Sequence, residues 1–211
     1  MARKMILAGA ALLWASSSMA VTPIASCTVN SITPVKPTGC DLMAAPPAVA
    51  GGDAFNDNLL HLWVEKSNHV LASALTVDWA LGSNPIPVGT KIASVGIQFD
   101  PLREHMMNAQ VTFTRKILGV VWLRNTLVAS DYLLPGTTFL SPFYRGLELN
   151  DIANTTISGN TLSFVWTSGR PGDNVRVILS AIPEPTTWAM LIAGFGMVGF
   201  ASRRRRTVRA A

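Results

Sequence analysis

Cysteine, histidine and charge are all scarce in this sequence of 211 residues. Two cysteines, Cys27 and Cys40, are too few for a disulfide-dense scaffold, and they lack the two-residue spacing of a redox pair. The three histidines, His61, His69 and His105, fall in no HExxH or related ligand spacing, so strand or surface positions account for them better than a zinc centre. No Gly-x-Ser-x-Gly elbow occurs, and no glycine-rich phosphate loop precedes a helix. The usual signatures of acyl and phosphoryl transfer are therefore missing, and no catalytic residue is assigned. Charged residues make up 14% of the chain, against about 25% in an ordinary soluble domain.

What charge there is sits unevenly. The net charge of +5 suggests an anionic partner until its location is traced. Arg3, Lys4, Arg203, Arg204, Arg205, Arg206 and Arg209 all lie at the ends, which leaves 10 of the 17 basic residues between Val21 and Ile182, against 11 of the 12 acidic ones. The interior carries about −1, and nucleic acid loses its electrostatic footprint.

Both ends read as targeting segments. Arg3 and Lys4 precede the apolar run Met5 to Trp14, and Ser18 and Ala20 then occupy small-x-small positions, which predicts a secretory signal cleaved after Ala20. A lipoprotein box, Ile24-Ala25-Ser26-Cys27 with Cys27 lipidated, is the competing reading. The polar, Pro23-containing gap before it speaks against it. Near the C-terminus, Pro183 and Pro185 fix φ and delay any helix until after them. An uncharged stretch then runs from Trp188 to Ser202, spanning about 22 Å as a helix against a hydrocarbon core of about 30 Å. A buried core helix would fit that length. The four arginines that follow would not fit a core, whereas they suit a cytoplasmic membrane face. A short transmembrane helix over 188–202 is expected, with a basic cytoplasmic end over 203–211.

The run from Pro183-Glu184-Pro185-Thr186-Thr187-Trp188 to Gly199, closed by Arg203-Arg204-Arg205-Arg206, resembles the PEP-CTERM sorting domain of Gram-negative bacteria. The resemblance implies recognition and cleavage by a membrane-embedded exosortase. It also implies transient residence in the inner membrane, then release to the cell surface or the extracellular space, often in company with exopolysaccharide and biofilm. On that resemblance Pro183, Glu184, Pro185 and Arg203 to Arg206 are a signal read by another enzyme, and an uncut membrane anchor is the alternative. A weaker resemblance, carried by Gly96-Ile97-Gln98-Phe99-Asp100-Pro101, Val111-Thr112-Phe113, Ser130-Asp131, Arg145-Gly146-Leu147-Glu148 and Asp151, is to a β-rich ectodomain recurrent among such proteins.

Between the ends the reading is all-β. Residues 21–52, rich in Pro, Ala and Gly, read as an extended lead-in stapled by a Cys27–Cys40 disulfide once exported. From Asp53 to Ile182, period-two runs recur at Leu60–Val64, Leu71–Trp79, Val95–Phe99, Val111–Phe113, Ile117–Leu123, Leu162–Trp166 and Val175–Leu179. Turn clusters separate them, among them Ser168 to Asp173. Strands in series without helices predict an antiparallel β-sandwich, with a jelly roll as one form of it.

Three constellations are candidates for chemistry. Asp53, Asn56 and Asp57 cluster their oxygens in a short loop that would suit calcium, although Asx turns explain the same residues. Asp100, Glu148 and Asp151 are the carboxylates that a secreted carbohydrate-active enzyme would use, with solvated loop positions as the plainer account. Trp63, Trp79, Trp122 and Trp166 would stack on sugars if exposed, but their apolar strand contexts predict burial. The sequence thus leads to an exported, non-enzymatic surface or matrix protein associated with extracellular polysaccharide, with no cofactor expected and calcium at Asp53, Asn56 and Asp57 only as the alternative to Asx turns. The alternatives are a secreted carbohydrate-active enzyme and a permanently anchored periplasmic protein.

Overall fold

The strands differ in how many of their faces they must bury, and that difference organises the molecule. The computed structural model describes residues 22–36 and 38–181, with 192 and 194–196. The signal segment with Ala20, the Pro183-Glu184-Pro185 element, Arg203 to Arg206 and nearly all of 188–202 lie outside the described residues. Ile192 and residues 194–196 are helical, and among the described residues no helix is long and apolar enough to cross a membrane.

Among the described residues twelve strands follow in order: β1 (Ile24–Thr33), β2 (Gly39–Leu42), β3 (Val49–Ala50), β4 (Leu59–Val70), β5 (Trp79–Ala80), β6 (Lys91–Phe99), β7 (His105–Phe113), β8 (Ile117–Val121), β9 (Thr138–Phe139), β10 (Thr155–Ser158), β11 (Thr161–Ser168) and β12 (Asp173–Ser180). Two short helices interrupt them, α1 (Arg124–Ala129) and α2 (Leu149–Ala153), with single 3-10 turns at Asp131–Leu133 and Pro142–Tyr144. One sheet has the order β1-β7-β11-β10 and a second β2-β4-β6-β12-β8-β5, while β3 and β9 form a small ribbon. Pairing is antiparallel except for β2 with β4 and β3 with β9. The all-β, mainly antiparallel expectation holds; these strand orders do not establish a jelly roll.

In the four-stranded sheet, β7 alternates strictly: Met107, Ala109, Val111 and Phe113 point inward, and Met106, Asn108, Gln110 and Thr112 face outward. This is the pattern of a sheet with one wet face. The six-stranded sheet has no such alternation, because β6 is buried from Ile92 to Phe99 and β12 from Asp173 to Leu179. Its inner residues Val95, Ile97, Phe99, Val175, Val177 and Leu179 join Met107, Val111, Phe113, Leu162, Phe164 and Trp166 of the other sheet in one core. Each such side chain contributes about 1.5–3 kcal/mol on burial. Its outer residues Ile92 and Ile178 pack beneath Leu71, Leu75, Val77, Ile86, Leu127 and Leu133. Gly96 belongs to this second face, where the Trp63 indole lies so close that a Cβ would come within 2.3 Å of it.

Two expectations are corrected, and the competing lipoprotein reading is excluded while the disulfide holds. Residues 21–52 are not a lead-in: β1 pairs with β7 over Ile24 to Thr33, β2 pairs with β4, and Ile24 and Ile32 are core, so the unit begins at Thr22 rather than residue 53. Leu71 to Asp78 is not a strand, and of the predicted run Leu71–Trp79 only Trp79 enters one, β5. The alternating apolar residues before it instead make a loop that covers the outer face, tied by the single bridge between Leu75 and Ile86. Cys27 carries no free thiol for lipid, because it is bonded to Cys40. That disulfide joins β1, the edge of one sheet, to β2, the edge of the other, with the Cα atoms 6.0 Å apart.

Candidate functional site

The loop before β4 spends its oxygens locally. Asp57 Oδ1 accepts from Leu59 N and lies 2.9 Å from His61 Nε2, while Asp41 Oδ2 is 3.0 Å from His61 Nδ1. Asn56 Nδ2 donates to the Asp53 carbonyl, and Arg170 reaches both Asp53 Oδ1 and Asn56 Oδ1. Asp53, Asn56 and Asp57 therefore work as turn and ion-pair residues, the Asx alternative to a calcium loop. His61 is buried on β4 and stacked at 3.8 Å on Phe55; His69 lies on the same strand and His105 opens β7. Trp63, Trp122 and Trp166 are buried and Trp79 is half-buried, so none of the four offers an open stacking face.

Across the outer face of β12 runs a buried charge network. Arg176 donates through Nε to Glu65 Oε2 at 2.6 Å, and both side chains are 2% exposed. Arg176 also reaches Ser130 Oγ, the Leu127 carbonyl and Asp131, which Arg145 grips with both terminal nitrogens at 2.6 and 2.9 Å. The recess beside it, lined by Trp63, Glu65, Phe139, Arg145 and Arg176, has about 10 Å³ of free room. That is about enough for one water and far too little for a sugar.

Exposed aromatic surface lies elsewhere. The 3-10 turn at Pro142–Tyr144 holds Phe143 and Tyr144 at 72% and 71% exposure, and Leu140 and Leu149, near it in the sequence, are exposed as well. The Arg124 guanidinium of α1 stands 4.8 Å over the Phe143 ring and donates from Nε to the Pro142 carbonyl, which holds the turn against α1. An apolar, aromatic, cation-flanked surface of this kind is the type that marks an interaction site. No strand periodicity covers this segment, so only the folded turn reveals it.

In the same domain, three carboxylates converge. Glu148 precedes α2 and is exposed, Asp151 lies in the first turn of α2 at 2% exposure, and Asp173 opens β12 at 3%. One carboxylate oxygen from each lies within 4.8 Å of the others. Asp151 Oδ1 accepts from Thr167 N at 2.9 Å. The Asp173 amide donates to Ser168 Oγ, whereas its carboxylate Oδ2 is buried with no hydrogen-bond partner. Burial, then the charges of Glu148 and Asp151, push the Asp173 carboxyl up to about 9, and burial also raises Asp151. Of the carboxylates singled out from sequence, Glu148 and Asp151 thus come together. Asp100 does not join them, although its backbone lies against Gly172, the residue before Asp173: its Oδ2 accepts from Phe55 N and Gln98 Nε2. Asp173 was legible only as a turn residue, although it shares the inward parity of Val175, Val177 and Leu179, which makes it an acid on a core face.

The oxygens of the Glu148, Asp151 and Asp173 group are closer than the roughly 5–5.5 Å between the carboxyl groups of a retaining glycosidase, and two of the three residues are buried. Their arrangement suits shared cation or proton binding more than two opposed catalytic roles.

Comparison with known proteins yields no match among curated proteins and none among solved structures. Residues 181–206 do match the family model described as the PEP-CTERM protein-sorting motif, a stretch that contains Pro183, Glu184, Pro185 and the four arginines. The chain carries a PEP-CTERM sorting signal, which implies an exported protein processed by exosortase.

Proposed function

We propose that this protein is a non-enzymatic component of the cell surface or extracellular matrix, delivered through its C-terminal signal and associated there with exopolysaccharide. The sorting motif over residues 181–206 carries the reading, since it supplies a route and a destination. Polysaccharide association draws support from the Phe143–Tyr144 surface: sugar rings present C–H faces that stack on aromatic side chains, and Arg124 beside them offers hydroxyl-binding donors. A nearly neutral domain also suits a carbohydrate better than a polyanion.

Expression in a host with an active exosortase, followed by mass analysis of the surface fraction and co-sedimentation with that host's exopolysaccharide, tests both halves. The expected product lacks the signal segment and the residues after the Pro183-Glu184-Pro185 element, and co-sediments at least tenfold less when Phe143 and Tyr144 are both changed to Ala. A membrane fraction retaining the intact tail would instead identify a permanently anchored protein. Unchanged co-sedimentation of the double variant would remove Phe143 and Tyr144 as the sugar surface.

A further inference from the structure

We propose that Glu148, Asp151 and Asp173 form a binding site for a hard divalent cation of the calcium type, which clamps α2 and β11 to the start of β12. Two ligands of one calcium ion, each 2.3–2.6 Å from it, cannot lie more than about 5 Å apart. The three carboxylate oxygens satisfy that limit pairwise, lying within 4.8 Å of one another. Convergence of acids alone would not suffice. The independent sign is Asp173 Oδ2, a buried oxygen with no hydrogen-bond partner on a side chain that is 3% exposed and converges on this group. Buried polar atoms are normally satisfied, and the charged groups that approach here, Glu148 and Asp151, are both further acceptors, so a cation is the missing partner.

The remaining geometry fits an ion. Asp151 is oriented through Oδ1 by Thr167 N, and its backbone carbonyl accepts from Thr155 Oγ1, itself bonded by Trp166 Nε1. This fixes one ligand against the four-stranded sheet. Asp173 belongs to the six-stranded sheet and is held through its amide by Ser168 Oγ. Glu148 is exposed, giving an ion an entry from solvent and room for the waters that complete its coordination. Oxygen donors without nitrogen or sulfur select calcium, magnesium or manganese over zinc. Two buried carboxylates favour calcium over magnesium, which keeps more of its water. The inference does not depend on what the domain binds or how its tail is processed.

Thermal unfolding of the purified full chain, stripped with EDTA and titrated with calcium chloride at constant ionic strength, tests it. At calcium near one hundred times Kd the midpoint should rise by about 5–10 °C. Glu148→Gln, at an exposed position that folding does not need, and Asp173→Asn should both abolish the rise, while Asp53→Asn/Asp57→Asn should keep it. In EDTA the Asp173→Asn protein should melt above the unsubstituted one, because one of three converging acids is gone; in calcium the order should reverse. Absence of a calcium shift in the unsubstituted chain, with Asp173→Asn still stabilised in EDTA, would mean a shared proton in place of a cation and overturn the proposal. So would a shift that survives Glu148→Gln and Asp173→Asn, or one lost only in the Asp53→Asn/Asp57→Asn protein.

Discussion

Removal of Arg176 should be among the most damaging single changes in this domain, for a reason its partners make explicit. Methionine at 176 keeps the aliphatic volume but leaves Glu65 with its carboxylate in a site 2% exposed and its 2.6 Å donor gone. Ser130 Oγ and the Leu127 carbonyl lose a donor as well. Breaking a buried pair from one side costs about 3–5 kcal/mol. For a domain of this size that lowers the melting midpoint by about 6–20 °C, at about 2–4 °C per kcal/mol. Glu65→Gln should cost less, about 1–2 kcal/mol, because Arg176 still faces Asp131 and two neutral acceptors. The double variant Glu65→Gln/Arg176→Met leaves no buried charge unpaired at this pair, so it should be more stable than the sum of the singles by about 2 kcal/mol. Urea unfolding of the four proteins measures the cycle. The cost should barely change up to about 0.5 M salt, since a buried pair is poorly screened. Additivity within about 0.5 kcal/mol, or a loss below about 1 kcal/mol for Arg176→Met, would refute the view that this pair is electrostatically coupled and closed to water.

Two further outcomes follow from the geometry. Replacing both Cys27 and Cys40 by serine should cost about 3 kcal/mol in the chain-entropy picture for a sequence separation of 13. Hydrogen exchange should then rise first in β1 and β2, the two edge strands that the bond joins; uniform loss of protection would count against that role. Burial raises the folded pKa of Asp100, with backbone donors such as Phe55 N offsetting part of the effect. A raised carboxyl contributes stability that is fully present below its unfolded value and is lost as pH rises through the folded one. Asp100→Asn should therefore gain on the unsubstituted protein as pH rises above the ordinary carboxylate range near 4 in thermal melts, and a difference that stays flat or falls as pH rises would contradict the assignment.

How much was legible in the sequence depended on how many faces a strand buries. β7 and β11 alternate because one of their faces is wet, and period two announces them directly. β6 and β12 read as strands through the apolar residues of one parity only. Their opposite parity carries Ser94, Gln98, Asn174 and Arg176, which look like solvent-facing residues and are in fact buried: Gln98 accepts from Gly51 N, Asn174 accepts from Gly146 N, Arg176 reaches α1, and the chain from Leu71 to Ile86 covers their apolar neighbours Ile92 and Ile178. That cover misled in turn, since Leu71, Leu75 and Val77 alternate like a strand while acting as a lid over Ile92 and Ile178. The lead-in failed for a related reason: β1 is an edge strand with few buried positions, so its apolar signal is thin.

By itself the sequence determined the protein's address, because a sorting signal is a local string of residues read by another molecule, and Pro183-Glu184-Pro185, the uncharged stretch and Arg203 to Arg206 need no partner elsewhere in the chain. It also determined the all-β class, since period two is a property of neighbours. Only the tertiary structure decided which residues meet. Glu148 and Asp151 find Asp173 across the gap between two sheets, Arg176 finds Glu65 on a different strand, and Phe143 and Tyr144 are left outside while the tryptophans go in. Each of these depends on distances between residues far apart in the chain, which strand order and register set and local pattern does not.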